Sequence, residues 1–192
     1  QTEHIRLTVG PLSVSVRTPM TIAMGAASVA DITGRRTAVA LGASSVVVVE
    51  EWHGRDRTRT ATHLAESAQI LRALLAGEKT DFSGECASSK GYKLRLDAVE
   101  GPITIAAFGP AAVRAAARHA DRMLLNMVTP LSVAALRDQL IRAAEKAGRA
   151  TPEIAIWLPC AVNPQRETID QLKRGIVGYL AAPGYGEMMM QA

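Results

Sequence analysis

The chain has 192 residues, of which 48% are hydrophobic, 21% charged and only 4% aromatic. This is the composition of a globular protein, and the length suffices for a single domain, residues 1–192, with a hydrophobic core. The formal charge of +4 gives a mild attraction for anionic ligands, and the scarcity of aromatic side chains that could stack on bases argues against a nucleic-acid partner.

Short apolar runs alternate with longer amphipathic stretches along the chain. In chain order the sequence predicts a strand at residues 5–9, a helix at 18–32, a strand at 37–41, a helix at 60–75, an exposed strand at 92–96, a strand at 103–107, a helix at 111–119, a strand at 122–125, a helix at 130–147, a strand at 154–158 and a helix at 168–180. This alternation indicates one α/β domain with a parallel sheet. The pattern leaves open whether that sheet is open or closed into a barrel.

No targeting or membrane segment is visible in the sequence. Every apolar run falls short of the roughly 18 to 20 residues that a bilayer span requires, and the first residues lack the basic and apolar regions of a signal peptide. Cys86 and Cys160 belong to no metal-binding spacing, so two free thiols in a reducing compartment are expected. The sequence therefore predicts a cytoplasmic protein without a membrane partner.

Two strand-to-helix turns of small residues are candidates for ligand binding. In the first, at residues 41–45, small side chains let a ligand approach the backbone, and two serine hydroxyls can donate to an anion. In the second, at residues 106–110, a helix begins directly after a strand, so free amides and the helix dipole favour a phosphate or carboxylate. Ligands of parallel α/β folds bind at such strand ends. Each turn alone also fits an ordinary tight turn, and neither is a P-loop or a GxGxxG motif.

The other reactive side chains form no catalytic or metal-binding pattern. The polar segment 50–55 lacks the HExxH spacing and is expected to form a wall beside the first turn, and His63 and His119 are expected at the surface. The run of methionines at residues 188–190 is expected in the core or at a ragged end. A G-x-S-x-G elbow is absent, which disfavours a hydrolase. The sequence thus predicts no metal site and assigns no catalytic residue.

Taken together, the two turns resemble the bacterial luciferase-like family of flavin and deazaflavin oxidoreductases. The similarity lies in the run of residues 42–54 and in the segment 102–110, which is followed by a helix and by Ala120-Asp121-Arg122. Arg122 stands where the family usually has glycine. The resemblance covers nearly the whole chain in order, and the branch it favours is that of enzymes that use coenzyme F420.

The resemblance implies a (β/α)8 TIM barrel of the luciferase-like type, of which this chain supplies about strands 3 to 7, from residues 5–9 to residues 154–158. On this view the first two strands and the last strand are absent, and the chain is a fragment of a barrel. An open piece of a barrel exposes its edge strands, so poor stability is expected of the chain alone. The resemblance also suggests dimers.

A cofactor site is implied as well. The family often has a β-bulge with a non-prolyl cis peptide after the third strand, which corresponds here to Val9-Gly10. The turn that lines the cofactor ring and its ribityl chain corresponds to Gly42, Ala43 and Ser44. Backbone amides at the other end of the site would bind the polar edge or the phosphate, and the residues there are Ala107, Phe108, Gly109 and Pro110, with Asn126 as a weaker candidate.

The activity implied by the resemblance is hydride transfer between C5 of coenzyme F420 and a small organic substrate. Relatives that oxidise a sugar phosphate carry a glutamate on the turn after the fourth strand, where this chain has Ser45, so that substrate is disfavoured. Two alternatives stay open. One is an FMN-dependent monooxygenase that uses O2, and the other is a truncated, non-catalytic chain that binds ligand poorly or serves as a partner subunit.

Overall fold

The computed structural model describes residues 7–99 and 101–180 as an α/β unit. Strands and helices alternate along it, with one π-helix and one short hairpin inserted. In chain order the elements are β1 (Leu7–Ser13), α1 (Pro19–Thr33), β2 (Thr37–Gly42), the π-helix (Val47–Trp52), α2 (Thr60–Leu75), β3 (Asp81–Ser83), β4 (Ser88–Lys90), β5 (Ile103–Ala106), α3 (Pro110–His119), β6 (Arg122–Asn126), α4 (Pro130–Lys146), β7 (Glu153–Trp157) and α5 (Arg166–Leu180).

Five of these strands form one parallel sheet in the order β1-β2-β5-β6-β7. Each strand therefore pairs with the next strand of that sheet along the chain. A doubly wound sheet reverses its strand order at a switch point, whereas a barrel adds each strand beside the previous one. The described strands follow the barrel order, which the hydrophobic pattern alone did not decide.

The five predicted helices are all present, with bounds that agree within two residues, and α2 has the predicted bounds of 60–75. Local sequence explains this agreement. Pro19 occupies the first turn of α1, where its missing N–H costs nothing, and the Thr18 hydroxyl accepts a hydrogen bond from the Thr21 amide at 3.2 Å. Among the described residues, no helix is long and apolar enough to cross a bilayer.

The exposed strand predicted at residues 92–96 is wrong. The extra strands of this region are β3 and β4, which form an antiparallel hairpin with Asp81 opposite Lys90. The alternation that favoured a strand does not correspond to one buried face, because Leu94 is buried whereas Leu96 is exposed. The Tyr92 carbonyl accepts from the Thr80 amide at 2.8 Å, so it closes the base of the hairpin.

The first strand continues beyond its predicted end at Val9 as far as Ser13; residues 5 and 6 of the prediction lie outside the described residues. Val9 pairs with Val39 and Leu12 with Leu41, so two residues of β1 face one of β2 in a β-bulge. The predicted bulge is thus present. The predicted non-prolyl cis peptide at Val9-Gly10 is wrong, because the cis bond joins Gly10 to Pro11, and cis peptides are almost confined to bonds that precede proline.

The hydrophobic core lies between the sheet and helices α1 to α4. Every residue of β2 is buried, which fits a central parallel strand covered on both faces. The outer strands are less covered: Leu7 of β1 and Trp157 of β7 are 44% and 51% exposed. Helix α5 contributes no buried side chain. The methionines at residues 188–190 lie outside the described residues.

Asp121 joins three elements at the amino edge of the sheet. Its carboxylate accepts hydrogen bonds from the Ile103 amide at 2.8 Å and from the Arg72 guanidinium at 3.1 Å. Its own amide donates to the Ile103 carbonyl, and its carbonyl accepts from the Glu153 amide. One residue therefore fixes the starts of β5 and β7 relative to α2.

We expect Asp121→Ala to destabilise the fold by about 1–2 kcal/mol, because the Ile103 amide loses its charged acceptor while the partly exposed Arg72 pair contributes little. Urea denaturation measures this difference. Asp138→Ala is the matched control, since Asp138 is exposed on α4. Equal midpoints for the two variants would contradict the structural role of Asp121.

Candidate functional site

The first predicted turn lies at the carboxyl end of β2, between the ends of β1 and β5. A methyl group placed on Gly42 would lie 3.0 Å from Pro11 Cβ and 3.9 Å from Ala106 Cβ, so the three strand ends are in close contact. Gly10 has a φ of +128°, and a Cβ there would collide with the Ala40 backbone. Val9 and Gly10 therefore lie in the bulge beside β2, slightly behind the edge that carries the turn.

The second turn continues this edge from β5 to β6. Ala107 is buried, and its amide donates to the Leu124 carbonyl at 3.2 Å. Phe108 is half-buried and packs against the core. Asn126 is half-buried at the end of β6, so it lies on the same edge as the two turns, as the sequence predicted. The structure thus places all predicted cofactor residues at or near one edge of the sheet.

Helix α3 begins at this edge without a side-chain cap. Gly109 occupies the N-cap position with extended backbone (φ −77°, ψ 150°), and there is no capping hydrogen bond from an N-cap side chain. A Cβ added to Gly109 would meet nothing within 4 Å. By contrast, Thr18 and Thr129 cap α1 and α4 with their hydroxyls. The amino end of α3 therefore offers amide donors and a positive dipole end to an anion.

A π-helix follows the first turn and was not predicted. Ser44 has a left-handed backbone (φ 61°), and the Ser45 hydroxyl accepts from the Val48 amide at 3.2 Å. Val49 anchors the π-helix in the core with no exposed surface. Such helices are rare and are frequent at functional sites. Their single-residue insertion has no periodic signal in a sequence, which is why the hydrophobic pattern could not reveal it.

The polar segment 50–55 is exposed throughout, and most of it belongs to the π-helix or to the turn that follows it. In the part of the chain that the structure describes, no group of three or more His, Cys, Asp or Glu side chains could hold a metal ion. The segment directly adjoins the first turn, where it was expected to form a wall. Cys86 and Cys160 are both free thiols.

His63 and His119 are half-buried, so the expectation of surface histidines is only partly right. Burial lowers the pKa of His63, and the nearby Glu66 carboxylate opposes this effect. Burial also lowers the pKa of His119, and the positive charges of Arg149, Arg118 and Arg72 lower it further. Both imidazoles lie on helices that pack against the core. Neighbouring elements therefore cover part of each side chain, which the pattern of a single helix does not reveal.

A carboxylate clamp, which the sequence did not reveal, attaches the β3–β4 hairpin to α2. The buried Glu66 carboxylate accepts hydrogen bonds at 2.8 Å from three successive amides, those of Glu85, Cys86 and Ala87. Burial raises the pKa of Glu66, but the three amide bonds outweigh burial and hold the pKa below its usual range. The partners follow Glu66 by 19 to 21 residues, so no local spacing signals the contact.

Two concavities lie at the opposite, amino edge of the sheet. One, of about 360 Å³, is lined by residues around Pro102 and Asp121, and the other, of about 460 Å³, by residues around Arg72, His119 and Arg149. Arg149 donates to the carbonyls of Ala117 and Ala120 at the end of α3, and Arg72 donates to that of His119. These guanidinium groups satisfy helix-end carbonyls, which is a structural role.

The chain as a whole matches a known family. A family model described as luciferase-like monooxygenase matches residues 1–187. The chain belongs to the luciferase-like monooxygenase family. The predicted family and α/β class are therefore confirmed, and the five parallel strands are part of the luciferase-like fold.

Relatives within and near this family are named as reductases and monooxygenases. The 5,10-methylenetetrahydromethanopterin reductase of Methanolobus tindarius is 28% identical over 155 residues, which are 81% of this chain and 47% of the relative. The structure of the coenzyme F420 dependent tetrahydromethanopterin reductase from Methanopyrus kandleri gives a TM-score of 0.78 at 18% identity, covering 91% of this chain and 56% of that one. EDTA monooxygenase from Chelativorans sp. gives 0.63 at 16% identity, covering 99% and 52%. The chain thus spans about half the length of the proteins it matches.

Removing the charge of Glu66 tests the clamp. We expect Glu66→Gln to lower the free energy of unfolding by about 2 kcal/mol, because three amides lose a charged acceptor. Urea denaturation measures the loss, with Glu78→Gln, an exposed glutamate, as the control.

The difference in stability between wild type and Glu66→Gln should depend on pH. The folded-state pKa of Glu66 is depressed, so its stabilisation is fully present above the pKa of the unfolded carboxyl and is lost as the pH falls through the folded pKa. The stability difference between wild type and Glu66→Gln should therefore be constant at neutral pH and shrink in acid. A difference that grows in acid would contradict the clamp.

Proposed function

We propose that this chain carries the cofactor-binding turns of an oxidoreductase that transfers hydride to or from coenzyme F420. The observation that carries the proposal is the uncapped amino end of α3 at Gly109, beside a turn of small residues at the carboxyl edge of a parallel sheet. The names of the relatives support the same cofactor, since the Methanopyrus kandleri structure is of a coenzyme F420 dependent enzyme.

The residues present fit a flat cofactor that bears a phosphate. An anion at Gly109 would receive the first-turn amides of α3, which lack a side-chain acceptor. Gly42, Ala43 and Ala107 are small, so their side chains would not hold a planar ring away from the two turns. The bulge at Val9 and Gly10 would support the ring from behind.

When bound, coenzyme F420 supplies a carbon centre, C5, that accepts or donates a hydride. The chain's own residues would hold and orient the cofactor. The α3 amides would fix the phosphate-bearing end, and the turn from Gly42 to Ser44 would fix the ring, so that donor and acceptor meet without a large loss of entropy. The half-buried Phe108 would exclude water from the space between the turns.

The residue at position 45 disfavours a sugar phosphate as the substrate. By the family resemblance, Ser45 stands where enzymes that oxidise a sugar phosphate have a glutamate, and its hydroxyl accepts from the Val48 amide at the start of the π-helix. A serine in that role supplies no acid at neutral pH. We therefore propose a small organic substrate other than a sugar phosphate.

A second candidate is an FMN-dependent monooxygenase that uses O2. The structural likeness to EDTA monooxygenase, which covers 99% of this chain, favours it. The two turns suit a phosphate and a planar ring in either case. The two functions differ in chemistry, because a reduced deazaflavin does not react with oxygen as a reduced flavin does.

Fluorescence titration of the chain with coenzyme F420, followed by competition with FMN, tests the proposal. Trp52 is 71% exposed on the π-helix that follows the first turn, so it is placed to report binding there. Saturable F420 binding that FMN does not displace is the expected result. Binding of FMN alone would favour the monooxygenase, and binding of neither would favour the non-catalytic alternative.

Two substitutions at Gly109 separate helix stability from anion binding. Asn and Asp are both good N-caps, and the open space at Gly109 accommodates either side chain, so both should stabilise α3 slightly. Only Gly109→Asp places a negative charge where the phosphate would lie. We expect it to weaken F420 binding by at least about tenfold relative to Gly109→Asn. Equal affinities of the two variants would place the anion elsewhere.

A further inference from the structure

We infer that Arg57 is a positioning residue that sets the shape of the first turn. The Arg57 Nε–H donates to the Ser44 carbonyl at 2.9 Å, across 13 residues of chain. Arg57 is half-buried, while residues 50–56 and 58–59 around it are exposed. The inference deepens the proposed function, because Ser44 belongs to the turn that would line the cofactor ring.

Ser44 is the residue of this turn that most needs support. Its φ of 61° places it in the left-handed region, which a residue with a Cβ occupies at a cost. Such conformations persist only where the surroundings enforce them. A hydrogen bond to the Ser44 carbonyl fixes the peptide plane that follows Ser44, and so restrains the rotation that would release the strained conformation.

The loop that carries Arg57 is itself held against the π-helix. The Gly54 amide donates to the Glu50 carbonyl at 3.0 Å, and the Arg55 amide donates to that of Val49 at 2.9 Å. Val49 has no exposed surface, so the core fixes this end of the loop. Arg57 then returns to Ser44 and closes the loop on the turn at which it began.

Three substitutions of Arg57 separate its hydrogen bond from its charge. Glutamine has an amide nitrogen at the side-chain position of the arginine Nε, so Arg57→Gln retains a donor there without the charge. Arg57→Lys retains the charge but has a carbon at that position, and Arg57→Met has neither. If the bond to Ser44 matters, Gln should preserve the turn, whereas Lys and Met should both loosen it.

Arg59→Met is the matched control. Arg59 is two residues further along, and its ion pair with Glu85 has both side chains largely exposed, at 63% and 67%. Exposed pairs of this kind contribute little to stability. The control therefore removes a neighbouring positive charge, together with one exposed ion pair, and leaves the turn intact.

Amide hydrogen exchange of the unliganded chain, followed at Val48 and Val49, is the first readout. Both amides donate to Ser45, to its hydroxyl and to its carbonyl, and so report on the turn directly. We expect exchange about fivefold faster in Arg57→Met and Arg57→Lys, and near wild-type rates in Arg57→Gln and Arg59→Met. Unchanged exchange in Arg57→Met would overturn the inference, and so would equal loss in Gln and Met.

The affinity for coenzyme F420, measured by the same titration, is the second readout. We expect the dissociation constant to rise about fivefold in Arg57→Met and to return close to wild type in Arg57→Gln. If the wild-type chain binds no F420, the proposed function fails, and hydrogen exchange still decides whether Arg57 sets the turn. If exchange responds but affinity does not, Arg57 shapes a turn that the cofactor does not use, and its role at the site is refuted.

Discussion

The common direction of the five paired strands is the constraint on which the rest of the structure depends. Parallel strands need a crossover between neighbours, and each crossover returns the chain to the same edge of the sheet. The turns after β2 and β5 therefore lie side by side, with the end of β6 next to them. At the other edge Asp121 joins the starts of β5 and β7, so the register of the sheet is fixed where no ligand is expected.

Backbone amides outside the regular hydrogen-bond ladders are treated in two different ways in this chain. The amides of residues 85–87 are satisfied from within by Glu66, and the hairpin is thereby attached to α2. The first-turn amides of α3 receive no hydrogen bond acceptor from the N-cap residue, because Gly109 has no side chain. The first arrangement stabilises the fold, and the second leaves donors for a ligand. The amino end of α3 differs in this respect from those of α1 and α4, which threonine hydroxyls cap.

The π-helix and the loop that follows it connect the core to the turn that contains Ser44. Val49 is buried in the core, whereas Ser44 is exposed, and the hydrogen bond from Arg57 to the Ser44 carbonyl closes the loop of residues 44–57. The turn is thus held by a tertiary hydrogen bond in addition to the contacts of its own small residues.

The sequence by itself predicted the order of helices and parallel strands and the two turns at residues 41–45 and 106–110. Those features depend on local periodicity, capping and small residues, which are properties of neighbouring positions. The family was indicated by the resemblance of residues 42–54 and 102–110 to the luciferase-like enzymes. The tertiary structure decided the barrel-like strand order, the hairpin at Asp81–Ser83 and Ser88–Lys90, and the partners of Glu66 and Arg57. These contacts join residues 13 to 21 positions apart or pair whole strands, and no short-range pattern encodes them because only the folded chain brings the partners together.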